Sequence, residues 1–290
     1  MKTKGPLVLA LAFFFVSLSA VFAKLAFSKS GSSVEFVFFQ MVFATLTMAV
    51  YVLLVKRYDF KFERSDIKDY LVLGLLASGV AQLLAMTGLS YSTISNFSLL
   101  HALIPVVAIF FSILLLHEGF STRYVAITLA MIAGAVVFIT KLDPNSLSYK
   151  GIGDLMILGK VVIVGFTNVY AKTAMSNKQP ETVSLGRFLF ALPVLFAAVV
   201  LFGSFKYSGS WELTVLSGVA FGIGNMLFYR GIGLTDPSTA SNFNLATPVF
   251  GMLFGALVFG ETYLPVQYAG VALILAGGIA MAHYGLRRKK

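Results

Sequence analysis

Ten stretches of this sequence, each about twenty residues long and nearly all apolar, decide what the chain can fold into, because that is the length a helix needs to cross a bilayer core. They run over 6–28, 34–55, 69–89, 94–116, 123–140, 151–174, 182–202, 212–233, 238–259 and 264–285. The apolar residues come as continuous blocks, not at amphipathic spacing, so lipid is the natural solvent. Composition agrees. Of the 290 residues, 58% are hydrophobic and only 12% charged, about half the charge of a soluble domain, near 25%. The spacing predicts an all-α integral membrane fold of ten transmembrane helices with short antiparallel connections. The longest connection, Lys56 to Lys68, alternates in charge sign and holds no apolar run.

The formal net charge of +10 would suggest nucleic acid in a soluble protein. Here the basic residues sit between apolar blocks and at the tail Arg287-Arg288-Lys289-Lys290, where they flank a membrane. One set of connections carries fourteen: Lys2, Lys4, Lys56, Arg57, Lys61, Arg64, Lys68, Arg123, Lys178, Arg230 and the tail four. The other carries five: Lys24, Lys29, Lys141, Lys150 and Lys206. The positive-inside rule then puts both termini in the cytoplasm of a multi-pass cell-membrane protein. The first block, with Lys2 and Lys4 ahead of it and Val21-Phe22-Ala23 behind, has the outline of a secretory signal. Its counterpart deep in the chain speaks for a retained span.

That counterpart belongs to an internal repeat. A shift of 143 residues lays Pro105-Val106 on Pro248-Val249, Glu118 on Glu261, Ala126 on Ala269 and Ala133-Gly134 on Ala276-Gly277 without a gap. It also lays Gln82 on Asn225. With slightly different shifts, Phe22-Ala23-Lys24 resembles Tyr170-Ala171-Lys172, and Gln40-Met41-Val42-Phe43-Ala44 resembles Arg187-Phe188-Leu189-Phe190-Ala191. Two five-helix units follow, 1–145 and 146–290. Five is odd, so the second unit is expected to enter the membrane from the opposite face, as in secondary transporters built from inverted-topology repeats.

The pattern of a proline, twelve residues and a glutamate at the end of each fourth span, followed by a span with Ala-Gly, resembles the EamA family of the drug/metabolite transporter superfamily. The second half reads Asn244-Leu245-Ala246-Thr247-Pro248 through Phe259-Gly260-Glu261 and then Ala276-Gly277-Gly278. The first half departs from it with His117 in place of the glycine, and with Gln40 where the second half has Arg187. The resemblance covers nearly the whole chain. It implies ten helices around a central pathway and movement of amino acids, sugars, nucleotide conjugates or other small metabolites.

Polar groups inside lipid are costly and face the bundle interior. Lys160 lies about ten residues into the sixth span, too deep to snorkel, and is the candidate contact for an anionic group such as a carboxylate. Asp154, six residues away, falls on another helix face, whereas Thr167 lies two turns along nearly the same face. Gln82 and Asn225 occupy equivalent depths and can line a pathway or bond helices together. His101 and Asn244 precede Pro105 and Pro248 by one turn, where a proline frees a carbonyl and permits a kink, so the prolines are candidate hinges. His101 titrates near neutral pH and could couple protons. Arg187 suits snorkelling as well as function, and Lys24, Lys172 and Arg230 suit interface anchoring. Glu118 and Glu261 are expected to cap the next helices. Tyr91, Asn96, Phe97, Ser98, Ser241, Asn242 and Phe243 suit either a vestibule or an interfacial belt. Gly218-x3-Gly222 and Gly251-x3-Gly255 signal close helix contacts.

There is no cysteine, and His101, His117 and His283 are far apart, so no metal or cofactor is expected. No Walker-type Gly-Lys-Ser/Thr run supports ATP drive. The reading is a secondary transporter of a small organic metabolite, exporting in preference, acting by alternating access as a monomer or homodimer, and not an enzyme. A membrane enzyme on lipid-linked substrates would need clustered acids, histidines or metal ligands. A channel has no evident need of the duplication.

Overall fold

In the computed structural model the described residues are 4–27, 33–55, 64–92, 94–143, 151–203, 207 and 209–288. Parts of the 56–68 connection and the last two lysines, used above to orient the chain, lie outside them. Among the described residues the structure is helical. The helices are α1 (Lys4–Phe27), α2 (Ser33–Val50), α3 (Ile67–Val72), α4 (Ala81–Tyr91), α5 (Ile94–His101), α6 (Ile104–Leu116), α7 (Thr122–Thr140), α8 (Ile152–Ala174), α9 (Pro180–Phe202), α10 (Trp211–Leu234), α11 (Pro237–Asn242), α12 (Thr247–Phe259) and α13 (Pro265–Arg288). A π-helical stretch, Leu73–Val80, joins α3 to α4 in one continuous span. Nine helical stretches among these residues are long and apolar enough to cross a membrane, and Ile104–Leu116 is a shorter apolar helix.

The short helix results from a break in the expected span 94–116. Pro105 is the second residue of α6, and regular helical bonding is interrupted by a turn at Ala102-Leu103 just before it. Proline lacks an N–H and its ring crowds the carbonyl four residues back. Pro248 stands at the same place in α12, and there the interruption is the tight 3-10 turn Phe243–Ala246.

Packing crosses between the halves. Helix α1 lies antiparallel to α10: Gly224 faces Ala12 and Val16, Gly5 faces Thr235, and Ser19 and Ser217 exchange hydroxyl bonds at 3.1 Å. Helix α8 lies antiparallel to α4 in the same way, with Gly88 on Ile157 and Gly153 on Tyr91. Helix α10 runs parallel to α2, with Gly218 on Gln40 and Phe43 and Gly222 on Ala44 and Thr47. Helix α9 runs parallel to the third span, with Gly186 on Tyr70, Gly74 on Phe190 and Gly79 on Val194. Helices α7 and α13, related by the 143-residue shift, lie antiparallel: Gly134 and Gly270 each point at the other's carbonyl, and Gly277 meets Met131. A Cβ at Gly134 would sit 2.7 Å from the Gly270 oxygen. The pair Gly218 and Gly222 therefore marks a close approach. Gly251 faces open space and does not.

The ends of α6 and α12 share one device. His117 (φ 51°) and Gly260 (φ 65°) are both left-handed, and the Glu118 and Glu261 N–H groups each reach back six residues, to the Ser112 and Gly255 carbonyls at 3.2 and 3.0 Å. The family-like Gly-Glu pair is thus a helix-stop geometry, which His117 adopts despite its Cβ.

Candidate functional site

Lys160 is 8% exposed, inside the bundle on α8. Its ammonium lies 3.3 and 3.4 Å from the two ring nitrogens of His101 and 4.6 Å over the Phe97 ring. Phe97 and His101 meet edge to face at 5.6 Å. This brings together a lysine and a histidine selected separately from the sequence. His101 belongs to the break at Pro105: α5 ends there, and its last turn is held against Lys160 of α8. No carboxylate lies within ion-pair distance of Lys160 among the described residues. Asp154 is engaged elsewhere, accepting from Asn96 Nδ2 at 3.0 and 3.2 Å and from Ser92 Oγ.

The structure differs from the sequence expectation most at Arg187. It does not snorkel: it is 6% exposed on α9, and its guanidinium donates to Asn225 Oδ1 at 3.0 Å and to the Tyr229 hydroxyl at 2.8 Å. It also lies 5.0 and 4.9 Å over the Phe188 and Tyr229 rings. Its Nε has no hydrogen-bond partner. Asn225 is thereby occupied, its amide donating to the Phe221 carbonyl at 2.9 Å. At the equivalent place in α2, Gln40 Nε2 donates to Ser217 Oγ at 2.8 Å and Ser19 Oγ at 3.2 Å. Sequence reading missed Tyr229, Ser19 and Ser217, since a tyrosine or serine in an apolar block carries no signal of its partner.

The remaining candidates are dispersed. Gln82 is half-buried just beyond the π-helical stretch, and Asn244 is half-buried on the 3-10 turn before Pro248. Thr167 is 2% exposed and spends its hydroxyl on the Ile163 carbonyl at 2.8 Å. Other side chains take part in capping the helices that follow the two glutamates. Ser121 caps α7, accepting from Tyr124 N, and Gln267 Oε1 accepts from Leu264 N ahead of α13. Glu261 instead pairs with Lys24 at 3.4 Å and accepts from Tyr263 at 2.8 Å. Burial and the Glu261 carboxylate push the Tyr263 hydroxyl up to about 12. Of the residues offered as a vestibule or interfacial belt, two form helix ties: Asn242 donates to Tyr124 and Thr128, and Ser241 accepts from Asn168. Both are fully buried.

On the face where Gly5 meets Thr235, ion pairs join the two halves. Lys178, between α8 and α9, lies 2.8 Å from Asp66 and 3.1 Å from Asp69, and Tyr170 donates to Asp69 at 2.7 Å. Burial pulls the Lys178 ammonium down, and the two carboxylates more than offset this, leaving it above its ordinary value. Lys172 donates to the Ile232 carbonyl at 3.2 Å, and Arg230 approaches Glu181 at 3.8 Å. A crevice of about 420 Å³ opens beside this network, lined by Lys172, Lys178, Glu181 and Arg230.

The model of the EamA-like transporter family matches residues 3–140 and again 151–282. The chain belongs to the EamA-like transporter family. It is therefore a membrane transporter, whose partners are a small-molecule substrate and the bilayer. An uncharacterized transporter of Archaeoglobus fulgidus is 24% identical over 275 residues, 90% of this chain and 95% of that protein. One of Synechocystis is 24% identical over 231 residues, 76% of this chain and 66% of the other. One of Sinorhizobium is 27% identical over 121 residues, 40% of this chain and 86% of the other. A protein of known crystal structure, 18% identical, superposes over 100% of both chains with a TM-score of 0.84, and so shares the fold of this EamA-like transporter.

Proposed function

We propose that this EamA-like transporter is a secondary carrier that exports a small organic metabolite across the cell membrane by alternating access, with both termini in the cytoplasm. The observation that carries the reading is Lys160: a basic side chain kept inside membrane-spanning helices, against a histidine that ends a broken helix. An intramembrane ionisable residue marks a solute or ion route by default. The units 1–145 and 146–290 form two five-helix repeats of opposite orientation. The 143-residue register, the matched pairings of α1 with α10 and α8 with α4, and the antiparallel contact of α7 with α13 support this. Inversion relates the inward-open and outward-open states by a pseudo-two-fold rotation in the membrane plane, so their energies are comparable. Pro105 and Pro248 serve as hinges, and Gln82, Asn225, His101, Asn244 and Thr167 line or support the route. His101, touching Lys160, supplies proton coupling.

Purified protein in proteoliposomes tests this. Saturable counterflow of a solute is the expected result. A current linear in voltage marks a channel, and product formation without flux marks an enzyme; either overturns the carrier reading. His101→Gln is expected to flatten the pH dependence of transport, and an unchanged profile removes the proton role.

A further inference from the structure

We infer that the solute of this carrier is an organic anion with an apolar body, bound in turn at two buried cations, Lys160 and Arg187; the inference rests on the carrier reading above. Both side chains are more than nine-tenths buried, and neither has a carboxylate within ion-pair distance among the described residues. Arginine keeps its charge in proteins, so Arg187 holds a permanent positive charge among neutral partners, Asn225 and Tyr229, with its Nε still unbonded. A buried charge requires a counter-charge or strong compensation. The acids near these spans are committed elsewhere: Asp154 to Ser92 and Asn96, Asp69 to Lys178 and Tyr170, Glu181 to Arg230. The missing counter-ion is the solute.

Aromatic faces flank each cation, Phe97 beside Lys160 and Tyr229 beside Arg187. Such surroundings favour an anion that carries apolar surface over a fully hydrated inorganic ion. Depth makes the binding sequential. Lys160 stands 14 residues before the end of α8 and Arg187 seven residues after the start of α9, about 21 and 10 Å from the link between those helices at 1.5 Å per residue. A compact carboxylate engages one cation, then the other. The first half holds Gln40 at the position equivalent to Arg187, so the charge selection is confined to the second half.

The test compares benzoate with benzamide, which match in shape and differ in charge, and extends to acetate, malate and glutamate. In purified full-length protein, carboxylates are expected to raise the melting temperature by several degrees and benzamide to leave it unchanged, since a ligand that prefers the folded state stabilises it. Arg187→Gln keeps hydrogen-bonding capacity without charge and is expected to weaken the carboxylate response at least tenfold, while Arg187→Lys retains part of it. A purely structural arginine would lower the melting temperature in both variants without changing the preference for benzoate over benzamide. The wild-type comparison stands even if a variant does not fold: equal responses to the two probes, or none to any carboxylate, overturn the inference. Counterflow of a neutral solute that no carboxylate inhibits also overturns it while leaving the carrier intact. Anion stabilisation that depends on Arg187 without flux upholds the site and overturns the carrier.

Discussion

Gln40 in α2 and Arg187 in α9 stand at equivalent positions of the two halves and have been put to different uses. Gln40 closes a neutral network with Ser19 and Ser217 that ties α2, α1 and α10 together. Arg187 bonds instead within its own half, to Asn225 and Tyr229 of α10, with a group that cannot lose its charge. The backbone devices on either side remain duplicated: the broken fourth spans, the prolines as second residues of α6 and α12, and the left-handed stops at His117 and Gly260. Duplication has preserved the scaffold and let polar chemistry diverge. A helix framework depends on shape and backbone bonding that both halves need, whereas the buried charge of Arg187 has no counterpart at Gln40.

Exchanging the chemistry gives the largest expected effect. Gln40→Arg puts a second permanent cation among hydroxyls already bonded to one another and is expected to destabilise the protein by about 3 kcal/mol, the cost of a charge at the centre of a membrane helix. Denaturant unfolding measures it, and a stability near that of the parent would show that the two environments are equivalent. Asn225→Ala removes one charge-assisted bond from Arg187 and is expected to cost about 2 kcal/mol. An unaltered midpoint would mean that Tyr229 alone holds the guanidinium.

The next effect contrasts a buried lysine with an exposed one. Lys160→Ala is expected to slow counterflow at least about tenfold, equivalent to roughly 1.4 kcal/mol, whereas Lys24→Ala, which loses an exposed pair with Glu261 and a contact over the Phe259 ring, leaves it near the parent rate. Equal losses in the two variants would contradict the assignment of depth. His117→Gly relieves a left-handed non-glycine residue and is expected to stabilise by up to about 1 kcal/mol, with Gly260→His costing a similar amount. A lower melting temperature for His117→Gly, or a higher one for Gly260→His, would show that the two stops are not alike.

Much of this was legible in the chain. Helix positions follow from block length, and the breaks before Pro105 and Pro248 follow from the lost N–H. The partners of each helix were not legible. In lipid every face of a span is apolar, so the stripe that would reveal the inward face of a soluble helix is absent. Arg187 shows the consequence: its place near a span end suited snorkelling, and only the approach of α10 with Asn225 and Tyr229 reveals burial. Asn242 and Ser241 stayed open between a vestibule and an interfacial belt for the same reason, and each is bonded to a neighbouring helix. Glu118 and Glu261 mark the repeat in the sequence, and beside each the structure has a left-handed stop that the sequence did not reveal.

The smallest effect lies in the ion pairs between α3 and the α8–α9 link. Because Lys178 is raised above its ordinary 10.5, its contribution is complete below pH 10.5 and fades as the pH climbs through the raised value. Lys178→Gln is expected to cost less than about 1 kcal/mol at neutral pH and to loosen the contact between α3 and the α8–α9 link. A tryptic-accessibility assay at that link reads the loosening, and unchanged cleavage would show that the pairs do not hold it.

The central claim is that the second five-helix unit lies upside down relative to the first. The absence of cysteine allows single-cysteine variants at Lys4 and Asp143, which bracket the first unit, to be labelled in intact cells with a membrane-impermeant thiol reagent. The account predicts labelling at position 143 and protection at position 4 until the membrane is opened. Labelling of both, or protection of both, would place the two ends of the first unit on one face and contradict the inverted arrangement.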